Sequence, residues 1–273
     1  MPPIGSPRAS SPRRCGRRRR SVRQCRSLLF NTLFFVTTTL FVVVGSPFLF
    51  LPRGWAMAAL RVHARFELFL LRAIVGTKIE VRGRENIPAG PCLVASKHQS
   101  AWETFALIPI FRDPALLMKR ELFWIPFHGW FSYKFQMIPV DRDKGPSALR
   151  RMLRSARKRI DEGREIIIFP EGTRRAPGAS PDYKTGIVLL YDALQVPCVP
   201  VALNSGLFWP RRSVLRRPGT IVVEILRPIR PGLPKDEFLH RLQTAIESAS
   251  NRLLVEARGP EQASVPAVNA PLT

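Results

Sequence analysis

The sequence is poor in the residues that build metal and disulfide sites. Its 273 residues include four cysteines and four histidines, with no C-x-x-C pair and no histidines at metal-ligand spacing. We therefore predict neither a disulfide framework nor a metal site. Cys92 and Cys198 each lie in an apolar run directly after a proline, a context typical of buried and unreactive thiols.

Several catalytic signatures are absent as well. The chain has no G-x-S-x-G, no G-x-G-x-x-G, no Walker loop and no H-E-x-x-H. These absences remove the usual sequence support for hydrolases with a nucleophile elbow, dinucleotide enzymes, kinases and zinc proteases. We predict no bound cofactor.

Acidic residues are missing from the first 66 positions, which contain 12 arginines, whereas the whole chain carries 43 basic and 20 acidic residues. A leader this basic indicates an anionic partner, either nucleic acid or an anionic membrane surface. The arginines at 8–26 have no aromatic residues between them and lie next to an apolar segment. We therefore predict anionic lipid as the neighbour of this leader and no nucleic-acid partner.

Charged residues are absent from residues 27–52, a run bracketed by Arg26 and Arg53. A helix of this length can cross about 30 Å of hydrocarbon, so we predict a membrane-associated segment with a cytoplasmic amino terminus. Residues 45–47 (GSP) should end or kink the helix, because proline lacks a backbone N–H. A cleaved signal peptide is the alternative, since residues 56–58 form an A-x-A match.

Residues 55–76 alternate apolar side chains with arginines and Glu67, which predicts an amphipathic helix. Its charged side chains suit an interface with lipid phosphates. An ordinary amphipathic helix packed against the domain has the same pattern, and both placements stay open.

From residue 77 onwards, short β-branched runs alternate with helical patterns. The predicted strands are 77–83, 92–97, 115–119, 136–140, 165–169, 198–203 and 220–226. The alternation predicts an α/β fold, with a mixed, largely parallel sheet flanked by helices and functional loops at the carboxyl ends of strands.

Composition predicts four regions along the chain. These are a disordered arginine-rich tail (1–26), membrane-associated helices forming an apolar hairpin plus an amphipathic helix (27–76), the α/β domain (77–258) and a flexible tail (259–273).

One candidate base lies at the end of the second predicted strand. His98 and Glu103 are five positions apart, so their side chains can meet only if His98 lies in a loop and Glu103 in the first helical turn. The carboxylate would then orient the imidazole as a general base. Residues 100–103 also match the S-x-x-E capping box, and the spacing leaves both roles open.

Candidate phosphate ligands follow three other strands. Gly172, Thr173 and Arg174 stand in the sequence FPEGTR together with Glu171, and a guanidinium beside a glycine turn suits a phosphate. A solvated turn is the alternative.

Lys119 and Arg120 follow the strand ALLMK, and Arg142 follows Asp141 after a fourth strand. Each of these cations is either a further phosphate ligand or a member of a surface ion pair, Asp141 with Arg142 among them.

Taken in order, these segments resemble the glycerolipid acyltransferase family typified by 1-acylglycerol-3-phosphate acyltransferase. The resemblance covers about 77–230 and rests on five blocks. They are H-x4-E (98–103), K-x-E-L-x-x-x-P-x-x-G-W (119–130), I-P-V-D-R (138–142), F-P-E-G-T-R (169–174) and V-P-V-A-L-N (199–204). Glu103 departs from the aspartate that many members carry, but it keeps the carboxylate.

The resemblance implies transfer of a fatty acyl group from acyl-CoA or acyl-carrier protein to a lysophospholipid, giving phosphatidic acid. His98 would be the base, Glu103 its orienting acid, and Arg174, Lys119 and Arg142 the phosphate ligands, assisted by Gly172 and Thr173. A cytoplasmic thioester donor implies a domain on the cytoplasmic side of the inner membrane. Glycerol 3-phosphate or a lyso-ornithine lipid is the alternative acceptor, and an inactive membrane scaffold is the alternative role.

Overall fold

The computed structural model describes residues 12–141 and 145–258, with side chains described from residue 21 onwards. Arg142, residues 1–11 of the predicted amino-terminal tail and the predicted tail 259–273 lie outside the described residues. The helices are α1 (Pro12–Val44), α2 (Arg53–Leu70), α3 (Glu103–Ala106), α4 (His128–Lys134), α5 (Gly145–Asp161), α6 (Gly186–Leu194), α7 (Ser205–Phe208) and α8 (Lys235–Arg258). Short 3-10 turns cover Ser46–Leu49, Arg84–Asn86 and Arg120–Trp124, and a π-helical turn covers Leu71–Val75.

One sheet of seven strands organises the domain. The strands are β1 (Thr77–Arg82), β2 (Leu93–Ser96), β3 (Ala115–Lys119), β4 (Ile138–Val140), β5 (Ile166–Ile168), β6 (Cys198–Leu203) and β7 (Gly219–Ile225). Their order is β1-β7-β6-β2-β5-β3-β4, and every neighbouring pair is parallel except β6 with β7. The predicted fold class, a mixed and largely parallel sheet with flanking helices, is confirmed.

Alternate residues of the central strands belong to two hydrophobic cores, one on each face of the sheet. Leu93 and Ala95 pack with α5, α6 and α8, whereas Val94 between them packs with the amino-terminal helices. Successive side chains of a strand point to opposite faces, so a strand covered on both sides is apolar throughout. This explains why β2 and β5 occur as continuous hydrophobic runs in the sequence.

Helices α1 and α2 lie side by side as an antiparallel hairpin. Phe41 of α1 stacks on His63 of α2, and Thr37, one turn earlier in α1, donates a hydrogen bond to Glu67, one turn later in α2. Helix α1 ends at Val44, which confirms the predicted break. A side chain on Gly45 would collide with the Phe41 carbonyl, so only glycine allows this close turn.

Helix α1 begins at Pro12, so residues 12–26 of the predicted disordered tail are described as helical. Extending a helix is far cheaper than nucleating one, and arginine is a good helix former, so the apolar helix propagates into the basic segment. The part of α1 from Ser21 to Val44 is long and apolar enough to cross a membrane, by length and composition alone.

The start of the apolar segment is also bound to the α/β domain. Phe30 is fully buried against Trp209, and the Ser27 hydroxyl accepts a hydrogen bond from the amide of Arg216. Ala56 and Met57, part of the A-x-A match, are buried within α2. Cleavage there would remove buried contacts of the folded domain, which disfavours the signal-peptide alternative.

Helix α2 departs from the predicted amphipathic pattern at one position. Glu67 does not lie on the charged face with the arginines but is buried, 1% exposed, against α1. The charged face of this helix therefore consists of basic residues, and the carboxyl group belongs to the interior.

Candidate active site

The candidate site lies where β2 ends, beside its parallel neighbour β5. The chain leaves β2 at Ser96, runs through an irregular segment, and enters α3 at Glu103. The His98 ring stacks on Phe169, which follows β5, at 4.1 Å between ring centroids. The carboxyl ends of two adjacent parallel strands thus bring the H-x4-E and FPEGTR blocks together, as expected for this class of sheet.

The side chains of His98 and Glu103 are in contact. His98 Nδ1 lies 3.1 Å from Glu103 Oε1. The same oxygen accepts the amide of Ser100 at 2.7 Å and the amide of Gln99 at 2.5 Å. The capping contact and the histidine contact therefore coexist, although the helix starts at Glu103, two residues later than an N-cap at Ser100 would place it.

Glu103 is completely buried, and all the hydrogen bonds described for it are ones it accepts. Its Oε2 accepts the hydroxyls of Ser100 at 2.7 Å and Ser205 at 2.9 Å. Burial by itself would raise the pKa of Glu103, but the hydrogen bond and charge of His98 and the bonds from Ser100 outweigh it. The pKa therefore lies below its ordinary value, and the group is an anion at neutral pH.

A buried ion-pair network holds the segment that carries His98. Lys97 Nζ lies 2.9 Å from Glu171 Oε1 and 2.7 Å from Glu247 Oε1 of α8. Glu171 Oε2 accepts the backbone amide of His98 at 3.3 Å, and Tyr183 donates its hydroxyl to Glu247. Burial raises the pKa of Glu171, and its bonds from Lys97 offset part of that rise.

Sequence reasoning missed this network, apart from Glu171 as part of its block. Lys97 and Glu247 are 150 positions apart, and a lysine beside a histidine has no distinctive spacing. The available signal was a lysine at the end of a fully apolar strand, because buried lysines need acidic partners.

The polar residues of the FPEGTR turn differ in their exposure to solvent and in their hydrogen bonds. Gly172 adopts φ +64° and its amide donates to the carbonyl of Phe169 at 2.9 Å, so that amide is already engaged. Thr173 and Arg174 are exposed. Glu171 is buried, whereas Thr173 and Arg174 follow it in the turn after the carboxyl end of β5.

Of the cations after β3, Lys119 is exposed at the cavity wall, whereas Arg120 is held in an ion pair. Arg120 Nε lies 2.6 Å from Asp141, which also contacts Arg151 at 3.2 Å. Asp141 is thus bound by two arginines, and the alternative pairing of Asp141 with Arg142 stays a prediction because Arg142 lies outside the described residues.

A cavity of about 1200 Å³ opens at these residues and extends between the sheet and the amino-terminal helices. Its polar end includes His98, Lys119, Thr173 and Arg174, and its walls include apolar residues of α1, α2, α4 and α5. Within residues 21–141 and 145–258, no group of three or more His, Cys, Asp or Glu side chains is placed to hold a metal ion.

The family model described as acyltransferase matches residues 78–204. Residues 78–204 form an acyltransferase-family domain. The predicted resemblance is confirmed, and the acyltransferase domain contains all five of its blocks. His98, Glu103 and the FPEGTR turn all lie within it.

Relatives of this acyltransferase domain have consistent names. The 1-acyl-sn-glycerol-3-phosphate acyltransferase of Pseudomonas aeruginosa is 39% identical over 161 residues, which are 59% of this chain and 63% of that protein. The human 1-acyl-sn-glycerol-3-phosphate acyltransferase alpha is 28% identical over 237 residues, 84% of this chain and 83% of that one. The chain therefore spans less than two thirds of the Pseudomonas relative.

A solved structure shares the fold. The crystal structure of the 1-acyl-sn-glycerophosphate acyltransferase PlsC from Thermotoga maritima matches with a TM-score of 0.72 at 22% identity. The match covers 85% of this chain and 98% of that chain, so it includes elements on both sides of the acyltransferase domain.

Proposed function

We propose that this protein transfers a fatty acyl group from acyl-CoA or acyl-carrier protein to the free hydroxyl of 1-acylglycerol 3-phosphate, giving phosphatidic acid for phospholipid synthesis. The observation that carries the proposal is the 3.1 Å contact between His98 Nδ1 and buried Glu103 beside a large apolar cavity. The names of the relatives support this acceptor.

The chemistry follows from which imidazole nitrogen is engaged. With Nδ1 hydrogen-bonded to Glu103, Nε2 of His98 accepts the proton of the acceptor hydroxyl while its oxygen attacks the thioester carbonyl. The tetrahedral intermediate then expels the thiolate, which takes the proton back from His98. Glu103 stabilises the imidazolium formed between these two steps.

Lys97, Glu171 and Glu247 act as positioning residues in this proposal. Glu171 binds the amide of His98, and the buried ammonium of Lys97 fixes Glu171 in turn. A buried lysine between two carboxylates is held firmly, since losing either contact would leave a charge unpaired away from water.

The acceptor phosphate binds at the polar end of the cavity. Arg174 and Lys119 both line it and are exposed, so they can reach a ligand that enters from outside. Arg174 offers a two-pronged contact and Lys119 a point charge. Thr173 can add a hydroxyl, whereas the engaged amide of Gly172 shapes the turn and leaves phosphate binding to its neighbours.

The regions outside the acyltransferase domain suit a membrane surface. The hairpin of α1 and α2 exposes large apolar side chains, among them Phe35, Val44, Phe50, Trp55 and Phe69. Exposed apolar surface of this extent marks an interaction site. We assign residues 27–76 to the inner membrane, as a hairpin that returns to its side of entry, with residues 77–258 in the cytoplasm.

An assay on the purified full chain in lipid vesicles tests the function. It offers acyl-CoA and acyl-carrier protein with 1-acylglycerol 3-phosphate, glycerol 3-phosphate and a lyso-ornithine lipid. We expect the highest kcat/KM with 1-acylglycerol 3-phosphate, and His98→Ala as the matched inactive control. A higher kcat/KM with another acceptor would replace 1-acylglycerol 3-phosphate as the proposed substrate. The absence of transfer to any acceptor would favour the role of an inactive membrane scaffold.

A further inference from the structure

A second polar cluster lies in the cavity wall, on the amino-terminal helices. Thr38 of α1 and His63 and Glu67 of α2 line the same cavity as His98. Glu67 is 1% exposed; its Oε1 accepts the hydroxyl of Thr37, and its Oε2 has no hydrogen-bond partner in the described part of the chain. Such buried, unpaired atoms are rare, because leaving one unsatisfied is costly.

His63 completes the cluster without satisfying Glu67. Its Nε2 lies 3.7 Å from Glu67 Oε1 and 3.5 Å from Thr38 Oγ1, both longer than an ordinary hydrogen bond. Its ring is fixed by stacking on Phe41 at 4.4 Å between ring centroids. Glu67 Oε2 therefore has no partner among the described residues, and the only contacts described for His63 Nε2 are these two long ones.

Both side chains of the cluster are withdrawn from water, and burial disfavours the charged form of a carboxylate and of an imidazole. The surrounding wall is apolar, with Phe34, Val42 and Leu60 close by in the same helices. A charged ligand group would be poorly stabilised there, whereas a neutral polar group on an apolar chain fits.

We propose that Glu67 and His63 form a subsite for a hydroxyl group on an acyl chain. This rests on the proposed function, in which the cavity holds acyl chains. A hydroxyl both donates and accepts, so it can pair with Glu67 Oε2 and His63 Nε2 whichever of them carries a proton. A ketone or an ether can only accept hydrogen bonds, so it can pair with Glu67 Oε2 or His63 Nε2 only when that atom carries a proton. The hydroxylated chain belongs either to the thioester donor or to the lysophospholipid acceptor.

Competition assays separate these two sources. In one arm, acyl-CoA donors of equal length are plain, hydroxylated near the carboxyl end, hydroxylated mid-chain or hydroxylated near the methyl end, with a plain lyso-acceptor. In the other arm, the lyso-acceptor carries the same series and the donor is plain. One added neutral hydrogen bond predicts a preference of roughly three- to tenfold in kcat/KM for one hydroxyl position in one arm. The keto analogue should gain less.

Variants tie the preference to the cluster. Glu67→Leu should abolish the hydroxyl preference, measured as the ratio of kcat/KM for the hydroxylated chain to kcat/KM for the plain chain, and Glu67→Gln, which keeps the polar contact, should retain part of it. Val62→Ala in the same helix, exposed and outside the cavity wall, is the matched control and should leave the preference unchanged.

A binding readout keeps this inference distinct from the proposed function. Plain and hydroxylated fatty acids displace a fluorescent fatty acid from the full chain, whether or not transfer occurs. Tighter displacement by a hydroxylated chain in the wild type, lost in Glu67→Leu, supports the subsite even without activity. Equal displacement and equal kcat/KM for all chains in the wild type, or a preference unaffected by both Glu67→Leu and His63→Leu, would overturn it.

Discussion

His98 Nδ1 lies 3.1 Å from Glu103 Oε1, although five positions on a continuous helix would turn the two side chains about 140° apart. The contact forms because His98 belongs to the irregular segment after β2, whereas Glu103 begins α3. The helix start therefore determines the distance between base and acid, and changes at either residue test the mechanism directly.

The first prediction concerns this pair. His98→Ala should abolish transfer in a folded protein, and Glu103→Asp should retain much of it. Glu103→Gln should be severely impaired, because all the bonds described for Glu103 are ones it accepts and an amide nitrogen would face a donor. The same clash should lower the free energy of unfolding by about 1–3 kcal/mol. Kinetics and thermal unfolding of each variant provide the measurements.

A matched control separates stability from chemistry at Glu103. Ser205→Ala removes one hydrogen bond to Oε2, with no contact to His98, so it should lower stability by about 1 kcal/mol and retain most of kcat. Near-native turnover in a folded Glu103→Gln protein would show that the residue only caps its helix.

The second prediction assigns the phosphate contact. Arg174→Ala should raise KM for the lyso-acceptor about tenfold or more, with little change in KM for the acyl donor, since a hydrogen bond to a charged group contributes about 1.5–3 kcal/mol. Exposure of Arg174 places the loss at the lower end of that range. Arg174→Lys should recover part of it. Steady-state kinetics with each substrate varied in turn measures both constants.

Arg175 is the control for Arg174. Its guanidinium pairs with Asp182, and it is not among the cavity-lining residues. Arg175→Ala should therefore leave both KM values near wild type. A defect in Arg174→Ala confined to the thioester would move this arginine to the donor site and leave the phosphate to Lys119 or Arg142.

The third prediction tests the buried network beneath His98. Lys97→Met leaves the carboxylates of Glu171 and Glu247 without their shared cation and should lower stability by about 3 kcal/mol or more. Its kcat should fall more than its KM changes, because Glu171 holds the His98 amide. Lys235→Met, which removes an exposed pair with Asp192, should change neither. Wild-type kcat and melting temperature in Lys97→Met would refute the positioning role.

The fourth prediction is a pH dependence of stability at the junction of α2 with the domain. Arg53 binds both oxygens of Asp113, at 2.9 and 2.5 Å. Burial by itself would raise the pKa of Asp113, but Arg53 and Arg164 outweigh it and hold the pKa below its ordinary 3.8. The pair should therefore stabilise the fold fully above about pH 4 and lose this contribution as pH falls through the folded-state pKa.

Asp113→Asn measures this contribution. It should lower the free energy of unfolding by about 1–2 kcal/mol at pH 7 and flatten the acid limb of the stability curve below pH 4. Denaturant unfolding of both proteins between pH 3 and 7 provides the comparison. Parallel curves for the two proteins would mean that Asp113 does not titrate with folding.

The fifth prediction concerns topology. Ser10→Cys and Ser180→Cys, made in a chain without its native cysteines, should both resist a membrane-impermeant thiol reagent applied from outside intact cells and react after permeabilisation. This follows from a hairpin that returns to the cytoplasmic side. Labelling of either site from outside, or a chain shortened near Ala58, would contradict it.

The sequence by itself determined the α/β fold class and all seven strands to within two residues at their ends, whereas the spacing of His98 and Glu103 left the role of Glu103 open. Alternation of short apolar runs with helical periodicity depends on local residue order, so one chain suffices to read it. The start of α1 at Pro12 was not predicted, because extension of the helix into the basic segment depends on the adjoining apolar helix and not on the composition of that segment alone.

Only the tertiary structure decided which charged groups are buried. Glu67 belongs to the interior rather than to the charged face of α2, Lys97 is neutralised by Glu247 from α8, and Asp141 is bound by Arg120 and Arg151. Each pairing joins segments that the sheet order and the α1–α2 hairpin bring together in space. A charged side chain can be buried only next to a group of opposite charge. Which group lies next to it depends on the packing of the whole fold rather than on neighbouring residues in the sequence.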